Sequence, residues 1–192
     1  MLNAKATCDG ACHGGAHEQP QFERATEALS AEHRVIETVL DALEKLVEAG
    51  ESSAPADWRK ALDFLRNFAD KCHHLKEENL FFPALEEHGI PREGGPIGMM
   101  LAEHSEGRGY VRAMAAALEA VDREVLTRVA AAYIRLLRQH IAKEDEVLFQ
   151  MADSVLSAEE QQRLLRDFEE HELKEIGVGF HKKYLRIARE LT

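Results

Sequence analysis

Two stretches of this chain carry one pattern: HHLKEENLFF at residues 73–82 and HIAKEDEVLF at residues 140–149. Aligned at a constant offset, His73 falls on His140, Lys76 on Lys143, Glu77 on Glu144 and Phe82 on Phe149. In a helix, His-x-x-x-Glu puts both side chains on one face, one turn apart. Sliding the register so that His74 falls on His140 loses the Lys and Phe matches. The repeat therefore favours His73 and Glu77, with His74 and Glu78 as the alternative pair. A helical-wheel count agrees, since His73 lies nearer than His74 to the side carrying Leu62, Leu65, Ala69 and Cys72.

Spacings of 3 and 4 residues mark the core face of a bundle helix. Such stripes flank the repeat on both sides. One runs His33, Ile36, Leu40, Leu43, Val47, and another Ile97, Met100, His104, Gly107, Val111, Met114, Leu118. The repeat helices continue the pattern as Leu62, Ala69, His73, Glu77, Leu80, Ala84 and as Tyr133, Leu137, His140, Glu144, Val147, Met151. Each stripe is apolar except at one level, where histidine or a His–Glu pair replaces an aliphatic residue.

The punctuation fits helices joined by short connections. Residues 1–25 are small, polar and Gly-rich and read as a flexible tail. Ser30 is the expected N-cap of a first helix to about Glu48, and Pro55 opens a second to about Glu87. Pro83 predicts a kink or early end in that helix, and Gly89 its stop. A third helix is expected from Pro96 to Ala120, and a fourth, capped by Asp122, to about Ser154. Ser157 and Glu160 have capping-box spacing, and Gly177 and Gly179 break the following segment before a last short helix. The expected fold class is all-α: an up-down four-helix bundle over residues 26–154, with residues 155–192 as a helical extension packed on it.

A net charge of −11 argues against a nucleic-acid partner, which needs a basic surface. No apolar run reaches the ~20 residues that span a bilayer, and the stretch MLNAKATCDGACHGGAHEQP lacks the apolar core of a secretory signal. Cys8, Cys12 and Cys72 make no disulfide framework, so a reducing cytoplasm is the expected compartment. Cys72 reads as a small buried hydrophobe, the Met99–Met100 pair as core filler, and Lys76 and Lys143 as outward-snorkelling surface residues.

A buried carboxylate costs several kcal/mol unless it is paired or binds a metal. Glu77 and Glu144, with histidines from four helices at the same level, call for a cation. The carrying segments are LSAEHRVI (29–36), HHLKEENLFFP (73–83), GPIGMMLAEH (95–104) and HIAKEDEVLF (140–149). In type, order and spacing they resemble the bacterial hemerythrin-like, or HHE cation-binding, family. The resemblance implies a non-haem pair of iron ions bridged by carboxylates and an oxo or hydroxo group, with manganese or zinc as substitutes. Carried over by position, the ligands are His33, His73, Glu77, His104, His140 and Glu144. Glu77 and Glu144 would bridge, with His33 and His73 on one ion and His104 and His140 on the other.

The chain departs from the oxygen-carrying members. Arg108 stands where they have a second histidine on the third helix, which leaves one ion with an open or substituted position; Tyr110 compensates only if that helix is irregular. Asp145 stands where the carriers have their last carboxylate, and it is the alternative to Glu144. Gly107 is read as opening space beside His104 for a diatomic ligand. The implied function is a di-iron protein, monomer or homodimer, that binds or senses O2, NO or peroxide or buffers iron. The alternatives are an enzyme acting on peroxide or NO, and an iron donor for iron–sulfur repair. Cys8, Cys12, His13 and His17 form a further metal-binding candidate in the tail. His171, Glu175 and His181 are expected in solvent unless the last helix folds over the bundle mouth, and His88 is given no role.

Overall fold

The computed structural model describes residues 22–191. The tail residues Cys8, Cys12, His13 and His17 lie outside them. Six helices make up the described chain: α1 Ala25–Ala49, α2 residues 55–87, α3 Pro96–Glu119, α4 residues 123–155, α5 residues 158–176 and α6 Phe180–Leu191. Among the described residues there is no strand, and no helix is long and apolar enough to cross a membrane. Helices α1 to α4 pack in a closed ring, each against the next and α4 back against α1. Helix α5 lies against α1 and the later part of α2, and α6 covers α1 and the first part of α2.

The caps explain most of these boundaries. Asp122 accepts a hydrogen bond from the Val125 amide at 3.0 Å, and Ser157 and Glu160 form the expected capping box at the start of α5. Gly89 adopts φ 83°, and the turn closes with the Ile90 amide donating to the Leu85 carbonyl at 3.1 Å. The first helix differs from expectation: it begins at Ala25, not Ser30. Glu27 takes the free amides of Glu23 and Arg24, and Thr26 and the Ala25 amide are tied to Asp153 and Gln161 at 2.8 and 2.9 Å. Ala25 and Leu29 are thereby buried beneath α4 and α5.

Neither α2 nor α4 is a uniform α-helix. In α2, Leu65–His74 and Glu77–Phe81 are π-helical, and in α4 so is Glu144–Leu148. A π turn takes an extra residue and rotates everything downstream by about one position. The fully buried face beyond Glu77 is accordingly Phe81, Phe82 and Leu85, with Leu80 and Ala84 partly buried against it, and beyond Glu144 it is Leu148, Phe149 and Ala152, with Met151 partly buried and Val147 outside. Val147 is 52% exposed. The wide turn also accommodates Pro83: it falls in the first turn of the resumed α-helix, where its missing N–H costs nothing, and α2 continues to Glu87.

The core has two apolar halves. One contains Ile36, Leu40, Trp58, Phe64, Phe68, Met114, Tyr133 and Leu137. The other contains Leu29, Phe81, Phe82, Ile97, Met100, Leu148 and Phe149. Between them, at the level set by the two repeats, lies a polar layer.

Candidate metal centre

That layer is built by His33 from α1, His73, His74 and Glu77 from α2, His104 from α3, and His140 and Glu144 from α4. None is more than 5% exposed. Their ligating atoms fall into two groups, His33, His73, Glu77, Glu144 and His74, Glu77, His104, His140, with the atoms of each group within 4.8 Å of one another. Glu77 belongs to both: one oxygen lies 3.4 Å from His73 Nε2 and the other 3.5 Å from His104 Nε2. Glu144 also faces both groups, with Oε2 at 3.2 Å from the Nε2 atoms of His33 and of His140.

Each histidine that turns Nε2 inward has a carboxylate on its other nitrogen. His33 Nδ1 donates to Asp145 at 2.9 Å, His73 Nδ1 to Glu32 at 2.9 Å, His104 Nδ1 to Glu78 at 2.8 Å and His140 Nδ1 to Glu103 at 3.0 Å. A carboxylate only accepts, so these contacts put the proton on Nδ1 and leave the Nε2 lone pair facing the centre. Every such carboxylate also holds a cation: Arg34 on Asp145, Lys76 on Glu32, Arg108 on Glu78 and Lys143 on Glu103. Two of the four carboxylates precede a histidine in the tripeptide Ala-Glu-His (31–33 and 102–104), and the other two follow Glu77 and Glu144. The duplication seen in the sequence thus extends to the residues that orient the ligands.

The layer lacks what a self-sufficient polar core requires. The Nε2 atoms of His33 and His73, both ring nitrogens of His74 and all four oxygens of Glu77 and Glu144 are buried without a hydrogen-bond partner. His104 and His140 point their Nε2 lone pairs at each other across 3.1 Å. Burial, and next the charge of Glu144, push Glu77 well above the usual carboxylate range. Burial lowers His73 to about 3 despite Glu32. Apart from the one N–H that a neutral His74 carries, the unpartnered atoms are orphaned acceptors, costly when buried, and one kind of partner satisfies them: cations shared between the nitrogen and oxygen atoms. The residues fit a metal.

All six residues singled out in the sequence converge on this layer, and a seventh, His74, joins them. The repeat aligned His74 with Ile141 and the wheel turned it aside; the π turn brings both His73 and His74 to the interior. His74 stacks on His104 with ring centroids 4.0 Å apart, so α2 brings a histidine to the side of the layer where α3 carries Arg108 in place of one. Arg108 instead bonds Asp70 at 2.7 Å and Glu78 at 2.8 Å. Tyr110 does not compensate: its hydroxyl donates to Glu106 at 2.7 Å. Asp145 orients His33 rather than joining either group of donors. Lys76 is not a surface residue; it is buried between Glu32 and Glu172. Met100 is core, but Met99 is 51% exposed. Cys72 is fully buried. His88 bonds Glu160 at 2.8 Å, His181 packs its ring against Phe68 at 5.3 Å, and neither His171 nor His181 reaches the layer. The Glu175 side chain lies outside the described set.

A cavity of about 130 Å³ adjoins the layer, lined by Leu65, Asp70, His74, Gly107, Arg108 and Tyr133 among others. His74 lines it, not His104 as the sequence suggested. A Cβ at Gly107 would meet Tyr133 at 3.6 Å and Leu136 at 3.9 Å, ordinary contacts, so glycine here is a matter of space rather than of backbone strain.

Helical bundle, buried His/Glu layer and paired donor sets define a cation-binding bundle protein. The chain belongs to the hemerythrin HHE cation binding domain family, whose model matches residues 24–152. It is similar to uncharacterized proteins of Mycobacterium tuberculosis and Mycobacterium bovis, at 30% identity over 89% of this chain and 70% of theirs. No solved structure matches it.

Proposed function

We propose that this chain holds two iron ions in the layer, one among His33, His73, Glu77 and Glu144, the other among His74, Glu77, His104 and His140. The observation that supports this most strongly is the division of the orphaned donors into two groups sharing Glu77. Mixed imidazole and carboxylate donors suit iron, with manganese or zinc able to substitute. Bound there, iron would supply binding of O2, NO or peroxide and redox chemistry at those ligands. The protein's own part is to hold the imidazoles by their Nδ1–H groups, to keep Glu77 and Glu144 facing inward, and to exclude bulk water between two apolar halves. The cavity against His74 favours binding of a small molecule over a purely structural metal, because a structural site needs no void beside it.

Metal analysis and the visible spectrum of aerobically purified protein test the proposal. Two irons per chain, with a ferric absorption that shifts on adding azide, is the expected result. A chain that stays metal-free after anaerobic ferrous loading, or a His140→Ala variant that keeps both ions at full affinity, would overturn it.

A further inference from the structure

We propose that the cavity between α2 and α3 is an approach path for small monoanions to the metal beside His74, a reading that rests on the metal centre proposed above. Three observations carry it. First, the cavity is lined by His74, whose two ring nitrogens are buried and without a partner. Second, three guanidinium groups line it, Arg66, Arg108 and Arg112, against one carboxylate, Asp70. Third, this happens on a chain of net charge −11, so the basic rim stands against the general field of the molecule.

The arginines divide the work. Arg108 is anchored to Asp70 and Glu78, and its charge is partly offset there. Arg66 and Arg112 are exposed and stand at the outer rim. No ion pair ties Arg66 or Arg112 among the described contacts, so both charges are available to an incoming ion. The inner wall is Leu65, Val111 and Tyr133, a low-dielectric surface that focuses the field of the rim inward. At about 130 Å³ the space admits a few water-sized groups and excludes anything much larger. Charge and size together select a small monoanion such as azide or nitrite over bulky or cationic species.

The test is stopped-flow association of azide with the ferric, iron-loaded protein across a range of ionic strength. It compares the natural chain with a Arg66→Glu/Arg112→Glu double variant, and uses neutral NO with the ferrous form as control. Charge steering typically alters association by a factor of ten or more, so the variant is expected to bind azide about tenfold more slowly at low salt. Its rate should no longer fall as salt is added, while NO binding and iron content stay unchanged. Equal azide rates in two fully loaded proteins would overturn the inference and leave the metal centre standing. Equal slowing of azide and NO would overturn it too, showing obstruction rather than steering. A chain that takes up no iron would fell both readings, and metal analysis tells that case apart.

Discussion

His33 and Asp145 meet through Nδ1 and Oδ1 at 2.9 Å, while the neighbouring residue Glu144 faces the opposite nitrogen of the same ring at 3.2 Å. Two consecutive carboxylates thus serve two different edges of one imidazole. The wide turn at Glu144–Leu148 makes this feasible by letting adjacent side chains of α4 reach the same neighbour. Asp145 is 20% exposed at its side chain and tied to Arg34, whereas Glu144 is fully buried.

The division of labour predicts different losses. Asp145→Asn keeps a hydrogen-bond acceptor of the same shape but removes its charge, and replacing partners that orient a ligand costs about 10–100-fold in metal affinity. Asp145→Asn should therefore retain two ions per chain and give them up to a competing chelator about 10–100-fold more readily. Glu144→Ala should lose at least one ion outright. If Asp145→Asn emptied the site and Glu144→Ala filled it normally, the two roles would be reversed.

His74→Ala separates the structure's ligand set from the one read in the sequence. His74 supplies a nitrogen to one group only, so the variant should bind one ion at near-normal affinity and the other weakly or not at all, as read by isothermal titration. His73→Ala should damage the other group. Retention of both ions at full affinity in His74→Ala would show that its unpartnered nitrogens answer to something else.

The sequence carried the bundle, its helix order and the level of the polar layer, because hydrophobic spacing and caps are local signals. It misplaced His74 and Val147, and set Leu80, Ala84 and Met151 deeper than they lie, for one shared reason. A helix face counted at about 100° per residue assumes a uniform α-helix, and three π turns break that assumption at the residues that form the site. Lys76 was assigned to the surface because nothing local reveals Glu172, which α5 brings to it across 2.8 Å. A signal for the outer carboxylates was present, since the glutamate before His33 recurs before His104. Its meaning depends on which helix faces it, and that is a tertiary fact.

Lys76 and Lys143 are equivalents in the repeat but not in burial, and this predicts unequal stability effects. Lys76 is 2% exposed and holds Glu32, which is 6% exposed. Lys76→Met leaves that carboxylate buried with only His73, and breaking a buried pair costs about 3–5 kcal/mol. The Lys143 side chain is 38% exposed, so Lys143→Met should cost under about 1 kcal/mol. Urea denaturation of the metal-loaded proteins measures both. Equal losses would show that Lys76 is better solvated than its position between Glu32 and Glu172 implies.

Removing the metal exposes the conflict between Glu77 and Glu144, and pH reveals its sign. In the metal-free fold, burial and the Glu144 charge raise Glu77 well above its ordinary 4.5. The folded state then holds a proton that the unfolded chain releases near that value. The stability this contributes is present below about pH 4.5 and is lost as pH rises towards the folded value. Glu77→Gln cannot ionise, so the metal-free variant should melt above the metal-free natural chain at neutral pH, with the gap closing as pH falls towards 4.5. With metal added the order should invert, because glutamine offers the two groups one neutral carbonyl oxygen where the carboxylate served both. Melting curves with and without metal at three or four pH values decide it. A gap that stays constant with pH would mean Glu77 is already neutralised in the metal-free protein by some other group.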